Sequence, residues 1–372
     1  MNCFNQSIDR KSENALKWLL YPEDVIPMWI ADSDYPAAPA IHARLSNYAK
    51  SAVLGYQLAE HTSELNQAAI HWLNKQYGWQ IEPEWLVWVP GVMVAVNACV
   101  SVFGNDKIAV QTPNYPPILN LGRSHNCDCV AIPTIGSMPH WQLDLNHLEK
   151  ELKSRVGGLL VITNPMNPCG VVYTRDELET IAELCRKYDV TLCSDEVHSD
   201  LILDGSQHIP IGSIESVTER SITIMSASKT FNIAGLATAF AVIPNESIRR
   251  RFYRHTVKQQ FWVNPFGMQG HIAAYRESDE WYEAQLHHLR KNQHILKEAI
   301  DEIEGLSYQP SSATYLAWID ATELVTENPH RYFLERKVGL SDGADFGKER
   351  YLRLNFACPT NMLIDALDKM AS

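Results

Sequence analysis

The sequence predicts an α/β protein with a mostly parallel, doubly wound sheet in a large domain and a smaller α+β domain. Short apolar runs alternate with helix-like segments from about residue 64 to residue 260, a pattern typical of parallel sheets covered by helices. The pattern changes after residue 260, and the 372 residues exceed the usual size of one domain. We therefore predict a large ligand-binding domain over 46–260 and a small domain over 1–45 plus 261–372.

Helices are predicted where apolar residues recur every three or four positions. Gly78 suits the end of the first helix, because glycine readily adopts the left-handed conformation that often follows a helix. Thr174 and Glu177 have the spacing of a capping box at the start of the third. The three helical segments of the large domain are 64–77, 92–103 and 175–188.

Strands are predicted from short runs rich in β-branched and aliphatic residues. Their length and their separation by helices favour a buried, parallel arrangement. The five runs are 108–112, 159–163, 190–194, 221–225 and 239–243. We expect the Trp-rich stretch 79–88 to contribute to the core rather than to a ligand site.

The small domain is predicted from the part of the chain beyond residue 260. It should contain a long helix over 279–304, strands near 313–320 and 351–356, and a final helix over 361–371. The first 45 or so residues are too few to fold as a domain, so we expect them to pack onto this region.

Charge and composition narrow the class of partner. The net charge of −12, from 44 acidic and 32 basic side chains, argues against a nucleic acid or an anionic membrane surface. No apolar stretch approaches the about 20 residues that span a bilayer, and the first residues lack the apolar core of a signal peptide. The eight cysteines are scattered without CxxC spacing, so we expect a cytoplasmic protein with no metal centre.

Three of the predicted strands lead directly into polar clusters. In open α/β sheets, ligands bind outside the carboxyl ends of the strands, so the three clusters should converge on one site. The clusters are 164–170 (NPMNPCG), 195–198 (DEVH) and 226–232 (SASKTFN).

The chemistry of these clusters fits one ligand, pyridoxal phosphate. A carboxylate such as Asp195 needs a cationic or hydrogen-bonding partner where it is buried, and a pyridinium nitrogen supplies both. Burial of Lys229 favours its neutral amine, the form that bonds to an aldehyde. A lysine of this kind with an acidic partner for the ring nitrogen is the recurrent arrangement for this cofactor. Residues 91–93 open a helix, whose free backbone N–H groups attract an anion.

At these residues the sequence resembles the fold-type I pyridoxal-phosphate enzymes of the aspartate aminotransferase superfamily. The finer resemblance is to the MalY/PatB-type cystathionine β-lyases, also called C–S lyases, and it spans nearly the whole chain. The segments that carry it are MWIADSDYP (28–36), PGVMVAVN (90–97), QTPNYPPI (111–118), SKTFNIAGL (228–236), ATYLAWID (313–320) and FGKERYLRLNFACP (346–359).

This resemblance implies roles for the residues around the cofactor. Lys229 would hold the cofactor covalently and then remove the substrate Cα proton. Asp195 would pair with the ring nitrogen, Tyr115 would stack on the ring, and Asn167 and His198 would hydrogen-bond the ring 3′-oxygen.

The resemblance also implies contacts to the phosphate, the substrate and a second subunit. Arg353, with Asn167 beside it, would bind the substrate α-carboxylate, a task suited to a planar two-donor side chain. Tyr56 would reach the cofactor of a neighbouring subunit as a catalytic residue, which implies a homodimer with shared sites. The expected phosphate ligands are Ser226, Ser228, Val92 and Met93.

The sequence departs from the family pattern at positions without a named chemical role. Met166 replaces the histidine usual in the NPHNP motif, and Ser33 replaces a methionine. Residues 312–314 read Ser-Ala-Thr where Glu-Gly-Thr is typical. Because of these departures, the resemblance leaves the preferred substrate open.

Other interpretations of the same residues stay open at this point. His and carboxylate side chains ligate divalent ions, so residues 195–200 could form a metal cluster, although strand alternation favours Glu196 as a structural partner. His198 could instead be a core histidine, and Tyr115 could serve packing. Arg353 could pair with a surface carboxylate.

Three functions follow from these interpretations. The first is a β-lyase that eliminates the thiol from L-cystathionine or related cysteine S-conjugates, giving homocysteine or another thiol, pyruvate and ammonia. The second is an aminotransferase with the same cofactor residues. The third is a non-catalytic regulatory module, which is usually fused to a DNA-binding domain that we do not expect here. The C-terminal RLNFACP (353–359) and SKTFNIAGL favour the lyase.

Overall fold

The computed structural model describes residues 3–6, 8–51 and 54–372. Their α-helices are α1 (Leu16–Leu19), α2 (Pro39–Tyr48), α3 (Ser63–Tyr77), α4 (Val92–Phe103), α5 (Pro116–Leu119), α6 (Leu121–His125), α7 (Leu145–Leu152), α8 (Arg175–Lys187), α9 (Glu246–Lys258), α10 (Pro265–Glu277), α11 (Asp279–Asp301), α12 (Pro329–Glu335) and α13 (Thr360–Ala371). Their strands are β1 (Ile26–Pro27), β2 (Leu86–Val89), β3 (Lys107–Thr112), β4 (Asp128–Ile135), β5 (Gln142–Leu143), β6 (Leu159–Thr163), β7 (Thr191–Asp195), β8 (Ser221–Met225), β9 (Ala239–Val242), β10 (Leu316–Asp320), β11 (Val338–Gly339), β12 (Ser341–Asp342) and β13 (Tyr351–Asn355).

Within the described residues, eight strands form one sheet in the order β2-β9-β8-β7-β6-β3-β4-β5. The central pairs, from β8 through β7, β6 and β3 to β4, are parallel, and β9 runs antiparallel between β8 and β2. Alternate residues of β6 pack into separate apolar clusters on the two faces, Leu160 and Ile162 on one and Leu159 and Val161 on the other. The mostly parallel sheet, buried on both faces, confirms the predicted fold class.

The predicted elements of the large sheet are found with small shifts at their ends. Strands β6 and β8 and helix α4 have the predicted bounds, and α8 begins with the predicted capping box between Thr174 and Glu177. Strand β4 was not predicted, because Ile132 is its one fully buried residue and Pro133 interrupts its apolar run. Strand β2 lies in the Trp-rich stretch, where Trp88 is buried in the core as expected.

A second, three-stranded sheet forms in the described C-terminal part of the chain, in the order β10-β13-β12. The N-terminal segment lies against this region, since β1 pairs in parallel with β11. The Asn355 backbone N–H also donates to the Met28 carbonyl at 2.8 Å. These contacts agree with the expected packing of the first residues, whereas the domain boundaries themselves stay a prediction.

In the part of the chain that the structure describes, no helix combines the length and the apolar character needed to cross a membrane.

Candidate active site

A cavity of about 230 Å³ lies at the carboxyl ends of the central strands β6, β7 and β8. The strand register places Thr163 beside Asp195, and Asp195 beside Ile224, so the polar clusters that follow these strands meet at one edge of the sheet. The sequence-predicted residues that line the cavity are Val92, Met93, Tyr115, Asn167, Asp195, His198, Ser228, Lys229 and Arg353. The predicted convergence of three strand ends is therefore found.

Lys229 follows β8 and points its amine into this cavity. Its Nζ donates to the backbone carbonyl of Ala31 at 2.7 Å. Burial lowers the pKa of the Lys229 ammonium, while the carboxylates of Asp32 and Asp195 oppose that shift. A larger fraction of this amine is therefore neutral, and so nucleophilic, than of an exposed lysine.

Asp195 ends β7 with its carboxyl group in the same cavity. Its Oδ1 accepts a hydrogen bond from the Val197 backbone N–H at 3.1 Å. Burial raises the pKa of the Asp195 carboxyl to about 6, against the lowering effects of the Val197 N–H and of Lys229. A cationic ligand beside this carboxylate would remove the cost of its burial.

This burial leads to a prediction for stability. We expect Asp195→Asn to stabilise the ligand-free chain at about pH 8 and to have little effect at about pH 4. The folded-state pKa is raised from 3.8 to about 6, so the stability contributed by the protonated group is present below the unfolded pKa and is lost as pH rises through 6. The loss amounts to roughly 3 kcal/mol. Urea unfolding of both proteins at the two pH values measures it, and an equal difference at both would contradict it.

Three side chains surround the middle of the cavity. Burial lowers the pKa of His198 to about 3, with smaller contributions from Lys229 and Arg353, so its imidazole is neutral. Its Nδ1 is buried and has no hydrogen-bond partner among the described residues. The Asn167 side chain accepts a hydrogen bond at Oδ1, which leaves its amide N–H groups as donors. Tyr115 is partly buried at the cavity wall.

Arg353 lies on β13 and reaches the cavity from the small sheet. It is 3% exposed, and burial lowers its pKa to about 10, so the guanidinium remains charged at neutral pH. Nη1 donates to Asn167 Oδ1 at 3.1 Å and Nη2 to the Trp29 carbonyl at 2.9 Å. Its buried Nε has no partner in the described part of the chain. An anion at this point would receive charge-assisted hydrogen bonds.

Helix α4 begins at the cavity wall with Gly91, Val92 and Met93. Gly91 has φ of 132°, a conformation that favours glycine. The start of this helix, together with Ser228, offers backbone and hydroxyl donors to an anion. Ser226 does not line the cavity: its buried hydroxyl donates to the Thr238 carbonyl at 2.6 Å and accepts from the Ser228 N–H at 3.0 Å. Its role in phosphate binding stays a prediction.

Tyr56 lies outside the cavity of its own chain. Its side chain is 93% exposed and packs edge-on against Trp262, with ring centroids 5.4 Å apart. A contact between Tyr56 and a site in a second subunit stays a prediction.

The acidic residues near Asp195 serve the structure rather than the cavity. The Glu196 carboxylate is fully buried, accepts from the Ser194 hydroxyl and the Ile211 N–H at 2.9 Å, and lies 2.7 Å from His208 Nε2. Asp200 accepts from the Trp72 indole at 2.9 Å. No group of three or more metal-ligating side chains occurs in the described residues. Glu196 and Asp200 thus have partners of their own, and they are not cavity-lining residues.

Sequence analysis missed the segment that closes the cavity, residues 29–34, which we term the strap. Asn355 Nδ2 donates to the Ile30 and Asp32 carbonyls at 2.6 and 2.8 Å. Ile30 and Ala31 line the cavity, and the Ala31 carbonyl receives the Lys229 amine. The strap lies within MWIADSDYP. This segment contributes to the family resemblance, but the resemblance assigned no function to its residues. Val197, Ala234, Ala237 and Thr238 also line the cavity and lie within or directly after recognised motifs.

Comparison with known proteins shows the family to which this chain belongs. The chain belongs to the aminotransferase class I and II family, whose model matches residues 24–369. Within that family it is similar to cystathionine β-lyase PatB of Bacillus subtilis strain 168, with 29% identity over 99% of this chain and 98% of the relative. This agrees with the finer resemblance of the sequence.

Among the solved structures that share this fold over almost the whole chain, two illustrate the similarity. One is described as the crystal structure of OvoB, with 38% identity, a TM-score of 0.94 and coverage of 99% of this chain and 97% of that one. The other is the pyridoxal-phosphate-bound C–S lyase of Staphylococcus hominis, with 28% identity, a TM-score of 0.91 and coverage of 99% and 97%.

Proposed function

We propose that the protein is a pyridoxal-phosphate-dependent carbon–sulfur β-lyase. It would convert L-cystathionine, or a related cysteine S-conjugate, into a thiol such as homocysteine, pyruvate and ammonia. The observation that carries this proposal is the partly buried amine of Lys229 in a cavity that also contains the Asp195 carboxylate and the Arg353 guanidinium. Similarity to cystathionine β-lyases and C–S lyases over almost the whole chain supports the reaction class.

The residues of the cavity fit pyridoxal phosphate. The Asp195 carboxylate, buried with one backbone hydrogen bond, suits a protonated ring nitrogen. Within the described residues, His198 Nδ1 has no hydrogen-bond partner and the Asn167 amide N–H groups are not engaged as donors, and both suit an oxygen substituent on the ring. The start of α4 and Ser228 suit a phosphate.

When bound, pyridoxal phosphate supplies an aldehyde that bonds to amines and a ring that accepts the electron pair released at the substrate Cα. Lys229 would hold the cofactor, and its Nζ, once freed by the substrate amine, would take the Cα proton. Arg353 would bind the substrate carboxylate through donors held in place by Asn167 and the Trp29 carbonyl. Asp195 would keep the ring nitrogen protonated, because its carboxylate is stabilised by that positive charge.

The assay that tests the reaction is pyruvate release from L-cystathionine without any keto acid. We expect stoichiometric pyruvate, ammonia and free thiol. Pyruvate or another product that forms only when a keto acid is supplied would instead identify an aminotransferase, the alternative that the family match leaves open. A protein that binds the cofactor yet acts on neither cysteine conjugates nor other amino acids would overturn both.

We also propose a homodimer in which Tyr56 acts at the partner's site. The support is the exposure of Tyr56 together with neighbouring exposed apolar side chains, Leu54, Leu58 and Trp262. Exposed apolar patches of this kind are typical of interaction surfaces. Dimerisation through them would cover the patch and bring Tyr56 to a second cavity.

This arrangement predicts complementation between two inactive variants. Lys229→Ala and Tyr56→Phe chains, mixed during refolding or coexpressed, should recover about a quarter of wild-type activity, because half the dimers are hybrids and each hybrid has one intact site. Measurement of kcat against the fraction of each chain tests this. If Tyr56 acted within its own chain, the mixture would stay as inactive as the separate variants.

A cytoplasmic location is a further part of the proposal. It is supported by the eight cysteines, all of which are free thiols in the structure. Proteins that keep this many thiols unpaired are typical of reducing compartments.

A further inference from the structure

A second cavity, of about 570 Å³, adjoins the first and is termed the outer cavity here. The two cavities share four lining residues, Ile30, Ala31, Lys229 and Ala234. The outer cavity extends from Lys229 past the strap to the N-terminal segment, where Arg10, Asp32 and His42 line it. Its volume lies within the about 300–1,000 Å³ usual for small-molecule sites.

The position of Lys229 between the two cavities indicates what the outer one holds. A substrate whose amino group lies at Lys229 has its carboxylate directed to Arg353 and the cofactor on the Asp195 side. The substituent on Cβ then has the outer cavity as the remaining adjoining space. In a cysteine S-conjugate that substituent is the leaving thiol.

Arg10 lies at the wall of the outer cavity, where the strap holds it, and Asp34 Oδ1 is 3.6 Å from its Nη1. Nη2 donates to Asp32 Oδ2 at 2.7 Å, Nη1 donates to the Ser33 carbonyl, and the side chain is 15% exposed. A guanidinium has five N–H donors in one plane, so donors remain for a carboxylate in the cavity. The Asp32 backbone carbonyl also accepts a hydrogen bond from Lys17 at 3.0 Å. This bond fixes the part of the strap that carries the Arg10–Asp32 ion pair.

Asp32 provides the opposite charge at the same wall. Its carboxylate is 26% exposed, and within residues 3–6, 8–51 and 54–372 its hydrogen bond from Arg10 uses only Oδ2. Oδ1 is therefore available to an ammonium group. A carboxylate and a guanidinium side by side match a group that carries both charges.

We propose that the outer cavity is the subsite for the leaving thiol, and that Arg10 and Asp32 select conjugates whose thiol carries an amino-acid group. Arg10 binds the carboxylate of that group and Asp32 binds its ammonium. The inference rests on the proposed lyase function, and it identifies thiols such as homocysteine as preferred over alkyl thiols.

The test compares kcat/KM for L-cystathionine and S-methyl-L-cysteine in wild type, Arg10→Gln and Lys11→Gln. Arg10→Gln should lower the ratio of the two values by about 10- to 100-fold, mainly through KM for L-cystathionine. Lys11 is the matched control, since it bonds the Glu23 carbonyl and does not line the cavity; its variant should keep the wild-type ratio. Equal losses on both substrates in Arg10→Gln would overturn the proposal and leave Arg10 a structural role.

A third substrate tests the roles of Arg10 and Asp32 separately. S-(3-carboxypropyl)-L-cysteine is L-cystathionine without the distal amine, so Arg10→Gln should impair its cleavage whereas Asp32→Asn should affect it much less than L-cystathionine. If Asp32→Asn impairs both equally, the assignment of the ammonium is wrong. Absence of pyruvate from S-methyl-L-cysteine and L-cystathionine in wild type would instead refute the lyase function itself, an outcome distinct from an unchanged substrate ratio.

Discussion

Replacement of Lys229 by alanine is expected to lower kcat by at least about 10³-fold, because we propose that this one side chain supplies both the covalent attachment and the proton acceptor. The partly buried amine lines the cavity, 2.7 Å from the Ala31 carbonyl, and burial lowers its pKa, which favours the neutral form. Borohydride reduction of cofactor-loaded wild type, followed by peptide mapping, should label position 229. The alanine variant should bind the cofactor without forming an imine that borohydride can reduce to a permanent bond with the protein.

Two further variants make this result specific. Lys229→Arg keeps the positive charge but lacks a nucleophilic amine, so it should be as inactive as the alanine variant. Lys150→Ala removes an exposed lysine of α7 that lines neither cavity, and it should leave both labelling and turnover at wild-type levels. Label on a different lysine, or substantial turnover by Lys229→Ala, would refute the assignment.

Replacement of Arg353 by leucine is expected to lower kcat/KM by about 10²- to 10⁴-fold. The expected loss corresponds to the two charge-assisted hydrogen bonds, of about 1.5–3 kcal/mol each, that we propose Arg353 makes to the substrate carboxylate. Because the guanidinium is 3% exposed, water replaces it poorly. Arg353→Lys should lie between wild type and leucine, since an ammonium keeps the charge but not the planar pair of donors.

A substrate analogue without the carboxylate tests whether the loss in Arg353→Leu comes from the contact between Arg353 and the substrate carboxylate. The amine 2-(methylthio)ethylamine should bind wild type and Arg353→Leu with similar affinity, measured through the change in cofactor absorbance. Equal weakening of the amine and of S-methyl-L-cysteine would show that Arg353 acts by supporting Asn167 and the Trp29 carbonyl, its partners in the structure.

The residues that sequence alone could locate are those that directly follow a buried strand. Asp195 and Lys229 lie within four residues of the ends of β7 and β8, so the apolar run and the rule for parallel sheets were sufficient. The fold class followed from the same runs. Strand β4 was missed because it lies near the sheet edge and is largely half-exposed, which removes the continuous apolar signal.

Contacts between distant parts of the chain could not be predicted. The hydrogen bond from Lys229 to Ala31 joins residues 198 positions apart, and no local pattern in the strap marks a backbone carbonyl as an acceptor. The hydroxyl of Ser226 accepts from the Ser228 N–H in the turn after β8, and its role at the phosphate stays a prediction. The role proposed for Tyr56 needs a second subunit, which a single chain does not display.

The strap binds its neighbours through its main chain. Successive carbonyls from Trp29 to Ser33 accept hydrogen bonds from Arg353, Asn355, Lys229, Lys17 and Arg10 in turn. Side-chain changes at several of these positions leave that ladder of acceptors intact, whereas one inserted or deleted residue would offset every carbonyl from its donor. Homologous proteins should therefore keep the length of this segment, and a gap in an alignment at this point would indicate a protein with altered or lost chemistry.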